Sequence, residues 1–185
     1  MKINRFRAAA VIVAAMLAAG CIMTATYVVT VKLAPNPSPI DVSTIQHISA
    51  RKLVVDLRKD SDFRDNQDKI KDIESIGFYL KAKNNLADPI TFQLFLEEDT
   101  TKDWEDAQAV ADSSTELIFT GLAMPGNQTV TVDWNQSMGY VTGLPAIKDV
   151  LERGYFSIYP VAIPRDNFSV TIDSLVVIVT VNGGE

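Results

Sequence analysis

Between Ile76 and Leu96 the chain alternates apolar and polar residues on both sides of a turn. Ile76, Phe78, Leu80 and Ala82 share one parity, and Ser75, Gly77, Tyr79, Lys81 and Lys83 hold the other. After Asn84-Asn85-Leu86-Ala87-Asp88-Pro89, Ile90, Phe92, Leu94 and Leu96 alternate with Thr91, Gln93 and Glu97. A repeat of two is that of a strand with one face buried; a helix would bring the third and fourth neighbours together instead. Two such runs around a turn predict a β-hairpin with one face in the core. Tyr79 and Phe95 then fall on the outward face, as a cross-strand pair or as part of a contact surface.

The rest of the chain follows the same vocabulary. Thr26 to Leu33, Lys52 to Arg58, Leu117 to Thr120, Thr129 to Asp133 and Tyr155 to Ile163 are short runs rich in β-branched and aromatic residues, each predicting a strand. In Phe168 to Val181 the face pattern breaks near Asp173-Ser174, which predicts a bulge. Beyond it, Leu175 to Val179 is apolar at both parities, as in a central strand. Met124-Pro125-Gly126-Asn127 is turn chemistry, and the polar stretch Thr101 to Ser114 reads as a loop or edge insertion. Pro145 to Arg153 is the one segment with helical logic: proline at its start, Gly154 at its stop, and Ile147, Val150 and Leu151 as an apolar stripe. Roughly seven to nine short strands with turns between them predict a mainly β chain, an immunoglobulin-like β-sandwich with one short helix.

Ahead of the first strand the composition changes. Lys2, Arg5 and Arg7 precede an unbroken apolar run from Ala8 to Ala19, the pattern of a secretory signal peptide. Its end, Leu17-Ala18-Ala19-Gly20-Cys21, resembles the lipobox of bacterial lipoproteins. The resemblance implies that residues 1–20 are a cleaved signal peptide and that the Cys21 thiol carries diacylglycerol. Residues 21–185 then form a single β-sandwich domain on a membrane, held by palmitate-type acyl chains. Two or three such chains make attachment stable where one does not. If the cell is Gram-negative, Ile22 in place of the retaining aspartate implies the outer membrane, with the domain in the periplasm or at the cell surface. Cys21 is the only cysteine, so no internal disulfide competes for it. An uncleaved transmembrane anchor and a soluble secreted protein are the alternatives. The apolar stretch from Ala8 to Met23 falls short of the roughly 20 residues that a span requires, and beyond it Thr24, Thr26 and Thr30 have β character.

After the first strand, Ala34-Pro35-Asn36-Pro37-Ser38-Pro39 cannot join a ladder. The apolar strand running into Asn36-Pro37 resembles the late-embryogenesis-abundant (water-stress) domains over about fifteen residues. That resemblance also implies a β-sandwich.

Charge and residue supply then limit the chemistry. The leader holds three of the 17 basic residues and none of the 23 acidic ones, so the chain beyond it has a formal charge of −9 against −6 for the whole. Such a body repels nucleic acid and anionic head groups. His47 is the only histidine; it reads as an exposed loop residue, because a Ser-His-Asp triad would need it beside a nucleophile elbow and zinc would need further ligands. No cofactor is implied. Asp56, Asp60, Asp62, Asp65, Asp68 and Asp72 crowd one stretch, and a calcium site there would use Asp60, Asp62 and Asp65. Against calcium stand the missing turn glycine and the interleaved Arg58, Lys59, Arg64, Lys69 and Lys71. A solvated loop or short charged helix with aspartate caps is the simpler expectation. Carboxylate pairs of glycosidase type cannot be singled out among so many acids. Trp104, in a polar segment, and Trp134, at a strand end, are candidate platforms for sugar rings, as are the outward Tyr79 and Phe95; both tryptophans equally suit the rim of a core.

The expectation is a non-catalytic, lipid-anchored envelope lipoprotein with a structural or binding role, whose partners are the membrane and an envelope protein or glycan. A carbohydrate or surface-ligand binding module is one alternative. An envelope hydrolase using carboxylates is another.

Overall fold

The computed structural model describes residues 25–32, 40–43, 49–68, 73–113, 115–164 and 168–183. Residues 1–20, Cys21, the proline-spaced segment 34–39, His47 and Asp72 lie outside the described residues. Nine strands are described: β1 (Ala25–Lys32), β2 (Ile40–Ser43), β3 (Leu53–Asp56), β4 (Ile73–Asn84), β5 (Ile90–Glu97), β6 (Glu116–Met124), β7 (Thr129–Val132), β8 (Tyr155–Ile163) and β9 (Ser169–Gly183). Between them lie a 3-10 turn (Leu57–Lys59) and four helices: α1 (Ser61–Asn66), α2 (Ala107–Asp112), α3 (Trp134–Ser137) and α4 (Leu144–Arg153).

All pairings are antiparallel, and they are nested. β5 pairs with β6, β4 with β7, β3 with β8 and β1 with β9, like concentric hairpins around the β5–β6 connection. Successive shells then fall in opposite sheets, closed by the β9–β4 and β8–β5 pairings. One sheet has the order β1-β9-β4-β7 and the other β3-β8-β5-β6. β2 pairs with the first residues of β9 on the edge that β1 occupies further along. Two Greek keys wound this way make a jelly-roll sandwich. The fold is thus the mainly β sandwich with one helix of ten residues that the sequence implies. It shares two packed antiparallel sheets with immunoglobulin domains and differs from them in strand order.

One expectation changes in an instructive way. β4 and β5 carry the expected alternation, with Ile76, Phe78, Leu80, Ala82, Ile90, Phe92, Leu94 and Leu96 all in the main core. They do not pair as a hairpin; they lie in opposite sheets. Period two fixes which face is buried but not which strand lies alongside, and the turn at 84–89 spans the roughly 10 Å between sheets. The buried Asn84 holds the crossing. Its side-chain amide donates to the carbonyls of Asp88 (2.9 Å) and Met124 (3.1 Å), its Oδ1 accepts from the Leu86 N–H (3.0 Å), and its own N–H reaches the Gln128 carbonyl. The β4–β5 and β6–β7 crossings are thereby stacked at one end of the sandwich.

Other readings hold. The register between β4 and β9 slips at Asp173, where Lys81 faces Ser174 and Ala82 faces Ile172, a bulge at the pattern break. α4 runs from Leu144 with Pro145 in its first turn, stops at Gly154 (φ 69°), and buries Ile147, Val150 and Leu151. Its place between β7 and β8 carries the chain from one sheet to the other. The charged stretch after β3 does form a short helix with an aspartate cap, α1, whose Phe63 is fully buried. Two segments depart from expectation: α2 lies in the stretch read as a loop, and Trp134 opens α3 instead of ending a strand.

Candidate functional site

The outer face of the β3-β8-β5-β6 sheet is not bare. Phe95 pairs with Tyr159, Gln93 with Val161, and Glu97 with Ser157, which is also opposite Val54. Residues directly opposite in an antiparallel pair share a face, so these form rows pointing away from the main core. α2 lays Ala107 and Val110 over them, and with Ala50, Phe95, Tyr159 and Val161 they form a second apolar cluster. Trp104 and Leu117 pack at its rim. A polar segment becomes a cover because every third or fourth residue of α2 is apolar, a short pattern hidden among Asp103, Glu105, Asp106 and Asp112.

The chain entering this helix is tied from several sides. Tyr159, fully buried, donates its hydroxyl to the Lys102 carbonyl (3.0 Å) and accepts from the Trp104 N–H (3.4 Å). The Glu105 carbonyl accepts from the N–H groups of Ser49 (2.8 Å) and Ala50 (3.1 Å). Ser49 Oγ in turn accepts from the Ala107 N–H (2.8 Å) and donates to Asp106 (3.4 Å), which caps α2 through the Ala109 N–H. Lys52 Nζ donates to the Lys102 carbonyl (2.6 Å), and Lys102 Nζ stands 5.6 Å from the centre of the Trp104 ring. Upstream, the Thr101 hydroxyl and N–H both bond to Asp99, and these hydrogen bonds hold its carboxyl below the usual aspartate range.

Beside this segment lies an open groove of about 510 Å³, lined by Ser43, Ala50, Arg51, Lys52, Val54, Asp103, Trp104 and Glu105. It runs along the outer edge of β3, which among the described residues pairs only with β8, and Val54 there is 51% exposed. The half-buried Trp104 makes one wall; its Nε1–H is buried with no hydrogen-bond partner among the described residues. Burial pushes the Tyr159 hydroxyl above its ordinary pKa. At the far end of β3, Arg58 bonds to Asp56 at 2.8 Å and lowers its carboxyl pKa, while its guanidinium lies 4.4 Å from the centre of the Tyr155 ring.

The remaining candidates are dispersed. Phe95 is only 5% exposed, inside the second cluster. Tyr79 is half-buried on the other sheet, so no Tyr79–Phe95 pair forms. Trp134 lies against Gly77, where an added Cβ would meet its Cδ1 at 2.2 Å. Asp60 accepts from the Phe63 N–H as the cap of α1 (3.0 Å), Asp65 is exposed, and the Asp62 side chain lies outside the described residues. Among the described residues no three His, Cys, Asp or Glu side chains are grouped to hold a metal ion. Arg51, Lys52, Val54 and Tyr159 are site residues that strand patterning passed over. Tyr159 had a signal: a tyrosine amid apolar neighbours brings a hydroxyl that needs a partner when buried.

No protein-family model and no curated protein matches the chain. Among solved structures it is similar, at 13% identity and a TM-score of 0.32, to a chain in "Structure of infectious bursal disease virus Gx strain". The alignment covers 87% of this chain and 33% of that one, so this chain spans about a third of its neighbour's length.

Proposed function

We propose that the chain is a lipid-anchored, non-catalytic binding module of the bacterial cell envelope. The observation that carries this reading is the single cysteine, Cys21, set in Leu17-Ala18-Ala19-Gly20-Cys21 behind a basic and apolar leader. β1 begins at Ala25 and is paired from its first residue, Ala25 with Gly183. Four residues of extended chain reach at most about 14 Å, so an acylated Cys21 holds the sandwich close to the head groups with no long tether. No helix among the described residues is long and apolar enough to cross a membrane. The net negative charge beyond the leader makes acyl chains, and not basic residues, the attachment.

Metabolic labelling of wild-type and Cys21→Ser chains with a palmitate analogue tests the anchor. The wild type is expected to carry label and to sediment with membranes, and the variant to carry none. A wild-type chain without label would overturn the reading.

A further inference from the structure

We propose that the groove walled by Trp104 is a binding site for a neutral pyranose saccharide. The proposal deepens the binding role above and rests on it only for where in the cell the ligand is met. The groove, at about 510 Å³, lies within the roughly 300–1,000 Å³ typical of small-molecule sites. Its walls combine the Trp104 indole with Ala50 and Val54, and a pyranose presents an apolar C–H face to such a surface. Its rim carries both signs, Arg51 and Lys52 against Asp103 and Glu105. Hydroxyl groups donate and accept, so they suit a mixed rim; an anion would meet two carboxylates there and a cation two bases.

One further observation favours a ligand over mere rim packing. The segment bearing Trp104 is held in advance by the Tyr159 hydroxyl and by the Ser49 and Ala50 N–H groups. A wall fixed before binding spares the ordering cost that weakens loop-based sites.

The test is calorimetric titration of the full chain in detergent with chitotetraose and cellotetraose, and with a heparin tetrasaccharide as the anionic counter-probe. Saturable binding of a neutral oligomer at about 1 mM or below is expected, weakened at least about tenfold by Trp104→Ala and unchanged by Trp134→Phe. Because Trp104→Ala also trims the second cluster, Asp103→Ala, which removes an exposed rim acceptor outside that cluster, is titrated beside it and is expected to weaken binding several-fold at an unchanged melting temperature. Absence of binding by both neutral oligomers, binding of the heparin fragment alone, or undiminished affinity in Trp104→Ala overturns the proposal. Binding lost in Val54→Lys but kept in Trp104→Ala also overturns it, by assigning the groove to strand addition along β3. Cys21→Ser separates the two readings: it abolishes palmitate label without touching saccharide affinity.

Discussion

Trp104 and Trp134 look alike by every local measure. Each is half-buried on the outer side of one sheet, and each has a buried indole N–H without a partner among the described residues. Their surroundings are opposite. Trp134 occupies the space of a missing side chain: an added Cβ on Gly77 would come within 2.2 Å of its Cδ1 and 2.4 Å of its Nε1. A capping box between Asp133 and Gln136 fixes α3, and the Ser137 hydroxyl accepts from the Phe78 N–H at 2.8 Å while donating to the Trp134 carbonyl. α3 thereby covers the edge of β4 beyond the point where β7 stops pairing, at Leu80. Among the described residues, Trp104 has no glycine beneath it and lines an open groove. One indole closes a surface and the other walls a groove.

The comparison breaks most visibly at Gly77. A Gly77→Val chain cannot keep the indole of Trp134 in place, because the clash is with a rigid ring near its attachment and not with a flexible tip. Overpacking on this scale costs about 3 kcal/mol, read as a lowered urea midpoint with an unchanged m-value. Saccharide titration at the groove should be unaffected, since it lies on the other sheet. A midpoint within error of wild type would mean that Trp134 is not a packed cover, and the contrast would collapse from that side.

Tyr159→Phe sharpens the contrast from the other side. Losing the hydroxyl leaves the Trp104 N–H without its acceptor and the Lys102 carbonyl with Lys52 Nζ in place of two donors, and costs about 1.5 kcal/mol. It also changes the alkaline limb of stability. Burial raises the Tyr159 pKa in the folded chain, so at pH above about 10 the unfolded chain releases this proton while the folded chain still holds it. Stability contributed by the buried phenol is therefore complete below that pH and is lost as pH rises toward the raised pKa. Thermal melts from pH 8 to above pH 10 should fall less steeply for Tyr159→Phe than for wild type. Parallel curves would show that the hydroxyl is not titrating from a buried position.

What the sequence makes legible follows from what periodicity encodes. Parity assigned Ile76, Phe78, Leu80, Phe92 and Leu94 to the core, and the break at Asp173 located the bulge, because both are local properties of one strand. The nested pairing was illegible. β4 and β5 part into opposite sheets through contacts of Asn84 with Met124 and Gln128, partners that no window around Asn84 contains. Phe95 is at the outward parity, as read, but is buried because α2 arrives from downstream. The groove needed three separate stretches, around Ala50, Val54 and Trp104, to meet at the β3 edge. Tryptophan identity alone raised both indoles equally. Only the glycine opposite one of them, also far away in sequence, tells them apart.

The smallest effect tests how open the Trp104 face is. Lys102 Nζ stands 5.6 Å from the ring centre and the residue is exposed, so its attraction to the indole is worth about 0.5 kcal/mol and weakens with salt. Lys102→Met keeps an unbranched apolar chain over the ring and keeps the backbone carbonyl that Lys52 and Tyr159 use. The expected loss is therefore the charge alone, about 0.5 kcal/mol at low salt and nearly nothing at 1 M salt. A loss above about 1.5 kcal/mol that persists at high salt would mean that the ammonium is desolvated against a covered ring. Trp104 would then be packed as closely as Trp134, and the groove would have one wall fewer than a saccharide requires.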